Sequence, residues 1–317
     1  MAANERELVT MEHVACCICG DVNGKPVGVG EDFEYHTTPH SFLAVRCPVC
    51  DLLYLDPRPT AASLSVIYPD EYHAFAFDEE QFGLVHKVRS RLEARRLLRA
   101  GRGLPTNAHV LDVGCGDGFH LDLLRKHGPK GWQLHGVDTD SRAVAATRRR
   151  GLAAEECPVE RSALEPRSID FALCIQTIEH VGDPVAILRA IGGLLKPGGR
   201  LYLITDNTGS PDFKITKGRH WGGYHFPRHW NLFNKQSMRK LATAAGLEIE
   251  KLSTTASPVN WTYSIRNTLV DWNAPQWMVN RFSLKAAPAL AVFTAVDTAF
   301  TLIGRGALLR VILRRPK

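Results

Sequence analysis

The chain has 317 residues, 44% of them apolar and 23% charged. That excludes a disordered or fibrous protein and leaves enough chain for a sizeable core in about two domains. Its formal charge of +6 is far weaker than the clustered charge of a dedicated nucleic-acid binder.

The opening residues, MAANERELVTMEH, mix charges and lack an apolar run, so no signal peptide is read there. Eight cysteines in such a chain fit a reducing, cytoplasmic setting, with metal or core roles ahead of disulfides. Five of them fall in the first 50 residues. Cys16-x-x-Cys19 and Cys47-x-x-Cys50 form two pairs with 27 residues between them. Each pair suits a tight knuckle, and four thiolates suit tetrahedral zinc in a closed, structural site. Gly20 and Asp51 follow the two knuckles at matching places, where a left-handed turn is expected. Cys17 competes with Cys16 but lacks the two-residue spacing. The plainer alternative is four unrelated cysteines. PVGVG and SFLAVRC between the pairs predict a hairpin.

DPRPT, Asp56 to Thr60, is a proline-punctuated boundary. Residues 1–58 are therefore expected to form a zinc-ribbon module, and 59–104 a helical linker whose arginines surround leucines at helical spacing. From His109 the texture alternates. HVLDVG, LHGVD, IDFALC and RLYLIT predict buried parallel strands, and 118–128, 141–150 and 184–195 predict helices. QSMRKLATAAG predicts a further helix ending at Gly246, and LEIEKLS a further strand. This predicts an α/β, doubly wound, mostly parallel sheet over 105–317. The segment 254–304 is rich in Trp and apolar helix and forms an insertion or cap. ALLRVILRRP predicts a last, edge strand beside LEIEKLS, with a basic amphipathic tail as the rival reading.

HVLDV runs into Gly114-Cys115-Gly116-Asp117-Gly118 and then a helix. Glycines let the backbone bend sharply and approach a ligand. The acids Asp112 and Asp117 disfavour a pyrophosphate there and suit a ligand carrying an ammonium and a sulfonium. S-adenosylmethionine is thus preferred over a dinucleotide. Asp138, 26 residues after Asp112, ends the next strand, where an acid accepts hydrogen bonds from ribose hydroxyls.

Across residues 105–253 these motifs resemble those of class I S-adenosylmethionine-dependent methyltransferases. VLDVGCGDG is similar to their first motif and GVDTD to the acidic second. IDFALCIQTIEHVGDP resembles the fourth-strand motif and LLKPGGRLYLIT the fifth. With the paired cysteines and YHFPRHWNLF, the chain resembles a subgroup carrying an N-terminal zinc ribbon. The resemblance implies a seven-stranded Rossmann-like sheet with an antiparallel last hairpin. It also implies methyl transfer to a small-molecule, saccharide or lipid-type acceptor at a hydroxyl. The implied cofactor residues are Asp112, Gly114, Cys115, Gly116, Asp117, Gly118, Asp138, Thr139 and Gln176. One departure is the missing Asp before the fourth strand, where only Glu160 could substitute.

Methyl transfer from a sulfonium needs alignment and, for a hydroxyl, a base. His180, His225 and His229 are the candidate bases. The first follows Gln176-Thr177-Ile178-Glu179, where related quinone methyltransferases carry a second Glu in place of Gln176; the other two lie in a loop dense in histidine and aromatics. Each has a structural alternative, ordering a loop. Tyr68 and Tyr72 are candidates to close the pocket. Two rival functions stand beside this one: a catalytically silent methyltransferase-like module that binds a partner, and an RNA methyltransferase. In 289–304, Thr294, Asp297, Thr298 and Thr301 make a polar stripe, continued at Arg305, on an otherwise apolar helix. With Trp261, Trp272 and Trp277 before it, this segment is expected to favour an apolar or membrane-bound acceptor and peripheral membrane contact.

Overall fold

The computed structural model describes residues 7–69, 72 and 79–317, without the side chains of 79–82 and 84–86. The first six residues of the leader-free reading, and part of the 59–104 linker, lie outside the described residues.

In chain order, β1 (Met11–Glu12), β2 (Lys25–Gly30), β3 (Phe42–Arg46), β4 (Leu53–Leu55) and β5 (Arg58–Pro59) come first. Two helices follow: α1 (Leu64–Ile67) and α2 (Glu79–Ala100). Then β6 (His109–Val113), α3 (Phe119–His127), β7 (Gln133–Asp138), α4 (Ser141–Arg149), β8 (Ala153–Glu156) and β9 (Ile169–Ile175) alternate. They lead to α5 (Pro184–Leu194), β10 (Leu195–Asp206), α6 (Pro211–Thr216), β11 (Asn231–Leu232), α7 (Lys235–Ala244) and β12 (Glu248–Thr255). The chain ends with α8 (Val259–Asp271), α9 (Gln276–Val279), α10 (Ala287–Leu302) and β13 (Leu308–Arg314).

The predicted sheet is present, with strand order β12-β13-β10-β9-β6-β7-β8. Only β13 runs antiparallel to its neighbours. The last strand is not at the edge, however. It slots between β10 and β12, and β12 takes the edge. The reason is burial: Leu309, Val311 and Leu313 pack into one core and Leu308 and Ile312 into the other. One face is wholly apolar, and on the other Arg310 and Arg314 alternate with Leu308 and Ile312; a strand this buried belongs inside a sheet. β12, with charged Glu248, Glu250 and Lys251, tolerates the edge.

Helix starts follow local chemistry. Asp140 caps α4 by accepting from Arg142 N, and Asp183 caps α5 by accepting from Ala186 N, with Pro184 in the first turn. Asn234 and Ser237 form a reciprocal capping pair at α7. Such caps satisfy donors the helix itself cannot. Strand alternation splits the core. Leu111, Val113, Leu201 and Leu203 face α5 and α7, whereas Val110, Tyr202 and Ile204 face α2 and α3.

The hairpin expected between the cysteine pairs is β2 and β3. It continues into a four-stranded sheet, β11-β4-β3-β2. β11 comes from the loop after β10, so residues near position 231 complete a sheet begun in the first 55. Cys16, Cys47 and Cys50 share the hydrophobic cluster of α5 and α7. Among the described residues, no helix is long and apolar enough to cross a membrane.

Candidate functional site

The predicted glycine loop connects β6 to α3 at the C-terminal edge of the sheet. Gly114, Gly116 and Gly118 all have positive φ, 72°, 55° and 78°, backbone that side chains resist. A Cβ on Gly114 would also lie 2.4 Å from the side chain of Thr177. The loop is held from below by Asp138, whose carboxylate accepts from Gly116 N and Asp140 N, each at 2.9 Å.

Asp112 is buried, and neither of its carboxylate oxygens has a hydrogen-bond partner. Burial, then the charges of Asp138 and Asp117, push it well above the ordinary carboxylate range. His120 stands 3.8 Å away, but burial holds its pKa at about 4, so it is neutral and offers no countercharge. An orphaned buried acid is costly unless a cationic group faces it. These residues therefore fit a ligand bearing an ammonium. Asp117 behaves differently from its neighbours: its carboxylate accepts from Phe119 N at 3.0 Å and pairs with Arg150 at 2.5 Å. Glu160 is exposed on a short turn.

The second cluster lies along the same edge. Gln176 leaves β9 with a φ of 52°, an uncommon conformation for a non-glycine residue. Three candidate histidines converge beyond it. The His180 and His229 rings are 4.6 Å apart, and the His225 and His229 rings 5.0 Å. His229 is buried, and its Nδ1 lies 2.8 Å from the Gly223 carbonyl. A carbonyl only accepts, so neutral His229 carries its proton on Nδ1 and keeps the Nε2 lone pair. Burial, then the neighbouring His180 and His225, hold His229 well below the ordinary histidine value.

Sequence reasoning missed several members. Glu34, from the cysteine-bearing region, lies 2.8 Å from His225 Nδ1. Asp206 ends β10 at 3.4 Å from His229 Nδ1 and accepts from Asn260 Nδ2 of α8 at 2.7 Å. Burial, then the charge of Asp212, raise Asp206 to about 7. Glu179 is buried, accepts from Thr205 at 2.9 Å through one oxygen and has no partner on the other. Glu34 and Asp206 are isolated in sequence, and only the fold brings them to the histidines, whereas Glu179 adjoins His180 in the fourth-strand motif. Two tyrosines lie beside the histidines. Tyr68 hydroxyl lies 2.8 Å from His180 Nδ1, and the Tyr72 ring 5.9 Å from that of His225. The loop itself is anchored by Arg228, fully buried, which donates to both oxygens of Asp32 at 3.1 and 2.9 Å.

Two groups offer metal-ligand geometry among the described residues. Cys16, Cys19, Cys47 and Cys50 hold their sulfurs within 4.8 Å of one another, and so do the ligand atoms of Glu179, His180 and His229. The two knuckles match: Gly20 N donates to Cys16 O and Asp51 N to Cys47 O, with φ of 76° and 60° at Gly20 and Asp51.

Comparison with known proteins agrees with this arrangement. Residues 84–252 match the methyltransferase-domain family. The ubiquinone biosynthesis O-methyltransferase of Albidiferax ferrireducens is 31% identical over 183 residues, 55% of this chain and 68% of that protein. Its counterpart in Xanthomonas campestris is 36% identical over 115 residues, 34% of this chain and 47% of that protein. Among solved structures, the fold is similar to phosphoethanolamine N-methyltransferase 2 of Haemonchus contortus in complex with S-adenosyl-L-methionine. That likeness has a TM-score of 0.51 at 19% identity and covers 93% of this chain and 70% of that one. It is also similar to geranyl diphosphate C-methyltransferase of Streptomyces coelicolor, with a TM-score of 0.51 at 13% identity, over 81% and 89% of the two chains. A glycine loop over a buried acid without a hydrogen-bond partner and a family match over half the chain lead to one conclusion: the chain belongs to the class I S-adenosylmethionine-dependent methyltransferases.

Proposed function

We propose that the enzyme methylates a hydroxyl of a small-molecule or lipid-type acceptor, of the quinone class named for its sequence relatives, with His229 as the base. The observation that carries this is the fixed tautomer of His229, buried beside Gln176 and His180 at the strand ends that also carry the glycine loop. When bound, S-adenosylmethionine supplies an electrophilic methyl group on a sulfonium. Asp112 would hold its ammonium, Asp138 its ribose hydroxyls and the backbone of Gly114–Gly118 its chain, with Cys115, Thr139 and Gln176 completing the cradle. Asp117 holds the loop through Phe119 N and Arg150 beside this cradle.

With an acceptor hydroxyl held against His229, Nε2 of this residue would take the hydroxyl proton as the oxygen is methylated. Asp206, near neutral in pKa and 3.4 Å away, stabilises the imidazolium that results. His180 and His225 position the acceptor together with Tyr68 and Tyr72. The test is methyl transfer from labelled S-adenosylmethionine to a panel of catechols and hydroxylated quinones. His229→Gln should lower kcat by about 100-fold or more with cofactor affinity intact. Because burial depresses His229, the wild-type enzyme keeps its base neutral as the pH falls past 6.5, and the acid limb of kcat should lie below that value. An acid limb above it, or full activity in His229→Gln, rejects His229 as the base.

Cofactor binding has its own check. Asp138→Ala removes two charge-assisted hydrogen bonds to ribose, on the order of 2–4 kcal/mol, and releases Gly116 N. Calorimetry should show S-adenosylmethionine affinity reduced by about 30-fold or more; unchanged affinity rejects the assignment.

A second reading is favoured by one observation: Glu179, His180 and His229 offer three ligand atoms within 4.8 Å, and one Glu179 oxygen is unpartnered. A divalent cation there would polarise the acceptor hydroxyl. Activity restored to chelated enzyme by Mg²⁺ or Mn²⁺ supports it over histidine alone.

In the same proposal Cys16, Cys19, Cys47 and Cys50 hold one structural zinc. Cys19 and Cys47 sulfurs are 3.6 Å apart, against about 3.8 Å for a tetrahedron with bonds of about 2.3 Å. Residues 1–58 form the zinc module, 59–104 a helical linker and 105–317 the methyltransferase domain. The 254–304 insertion caps the acceptor pocket, since Asn260 reaches Asp206 from it. The enzyme works in the cytoplasm.

A further inference from the structure

α10 touches the rest of the protein along one narrow stripe. Leu290 and Asp297 are buried, and Phe293 and Phe300 stack on Trp261 of α8. The remaining circumference is exposed, yet it carries no charge: it presents Ala, Val, Thr and Leu. The polarity of an ordinary surface helix is inverted here. Its single acid, Asp297, points inward and accepts from Ser257 N, Ala307 N and Trp261 Nε1 at 2.9, 2.9 and 3.1 Å. Apolar exposure recurs in the segments before and after it in sequence. Trp272 and Trp277 are 71% and 62% exposed, and Leu302 and Ile303 are 84% and 68%. An exposed apolar helix face of this kind marks a surface that something covers.

We propose that this face, α10 with its flanking tryptophans, seats on an anionic lipid bilayer. Two observations favour lipid over a second copy of the chain. First, the exposed threonines have no unmet donor: Thr294 donates to Leu290 O at 2.7 Å and Thr298 to Thr294 O at 2.6 Å, within the helix. A hydroxyl satisfied in this way enters an apolar phase at little cost. Second, the rim is cationic. Exposed Arg281, Lys285 and Arg305 border the face, with Arg281 over the ring of Trp277 at 5.4 Å. From Trp272 to the end of the chain Asp297 is the sole acid, and it is buried. A helix lying in the interface with Trp at the headgroup level and basic flanks binds anionic membranes. α8 links this face to the acceptor cluster through Asn260, so the surface sits one helix from the site.

The proposal stands apart from the choice of base, and its test is independent of turnover. The full-length protein should float with phosphatidylcholine vesicles containing phosphatidylglycerol and less with phosphatidylcholine alone. Val292→Glu with Val296→Glu places charge on exposed positions, so the fold and S-adenosylmethionine binding should persist while flotation falls about tenfold or more. Arg281→Glu with Lys285→Glu should abolish the preference for anionic vesicles. Protein that stays in the soluble fraction with both vesicles overturns the proposal. So does a stable dimer by sedimentation that the Val292→Glu, Val296→Glu pair dissociates without any vesicle binding.

Discussion

Replacing Cys47 by Ser, or stripping the metal with a strong chelator, is expected to unfold the first sheet and abolish methyl transfer. Cys47 and Cys50 are buried in the cluster that also holds Leu188, Ile191 and Leu241 of α5 and α7. Burial pushes the Cys16 thiol up to about 12, so four thiolates can share this space only around a cation. Structural zinc of this kind contributes about 10–16 kcal/mol in isolated fingers, more than the whole stability of a typical domain. Loss should therefore not stay local. β4 pairs with β11, and β11 directly follows the loop that carries His225, Arg228 and His229. The measurements are zinc content per chain, far-UV circular dichroism, and hydrogen exchange across 220–234 before and after chelation. One zinc per chain and a coupled loss of protection in that loop are expected. A folded apo protein whose four thiols titrate freely overturns the zinc assignment.

Arg228→Met should destabilise the protein by about 3–5 kcal/mol, because it leaves a buried carboxylate without its partner. Arg228 and Asp32 side chains are both fully buried, paired at 2.9 Å, and they connect the loop to the first 40 residues. Asp32 also accepts from Thr37 N, Thr37 Oγ1 and Tyr35 N, so its charge remains when Arg228 is lost. Adding Asp32→Asn to the variant should recover part of the loss, since it removes the orphaned charge. Burial raises the Asp32 pKa, but the Arg228 hydrogen bonds outweigh it and hold the carboxyl at about 2. The sign of the pH effect follows. A carboxyl depressed on folding contributes stability that is fully present above its unfolded value, near 3.9, and is lost as the pH falls towards 2. Denaturant midpoints between pH 2 and pH 5 should decline for the wild type and change less for Arg228→Met. Kinetics give the functional readout: if Arg228 only positions the loop, kcat should fall in the variant while S-adenosylmethionine affinity does not.

Local chemistry made much of this protein legible from its residues. Alternating apolar runs and glycine-proline stops specified the strands and helices of 109–253, because burial on both faces demands continuous apolar strands. The acids around Gly114–Gly118 told a cationic ligand from a pyrophosphate, since the sign of a charge needs no fold to interpret. The paired cysteines announced their cluster because two knuckles can converge on one point whatever the intervening chain does.

What the sequence could not fix was the order of the final strand and the company that each buried polar group keeps. β13 went inside the sheet because Leu309, Val311 and Leu313 bury in one core and Leu308 and Ile312 in the other, a place settled only when β10 and β12 pair with its two edges. Glu34 lies 191 residues before His225 and Asp206 lies 23 before His229, and neither carries a local signature. Tertiary packing alone closes those distances; burial then raises Asp206, while the Arg228 hydrogen bonds outweigh burial and lower Asp32. Asp297 shows the same division. Its spacing predicted a polar stripe on an apolar helix, but three inward donors turn Asp297 of that stripe into the protein while Thr294 and Thr298 stay exposed with the apolar surface.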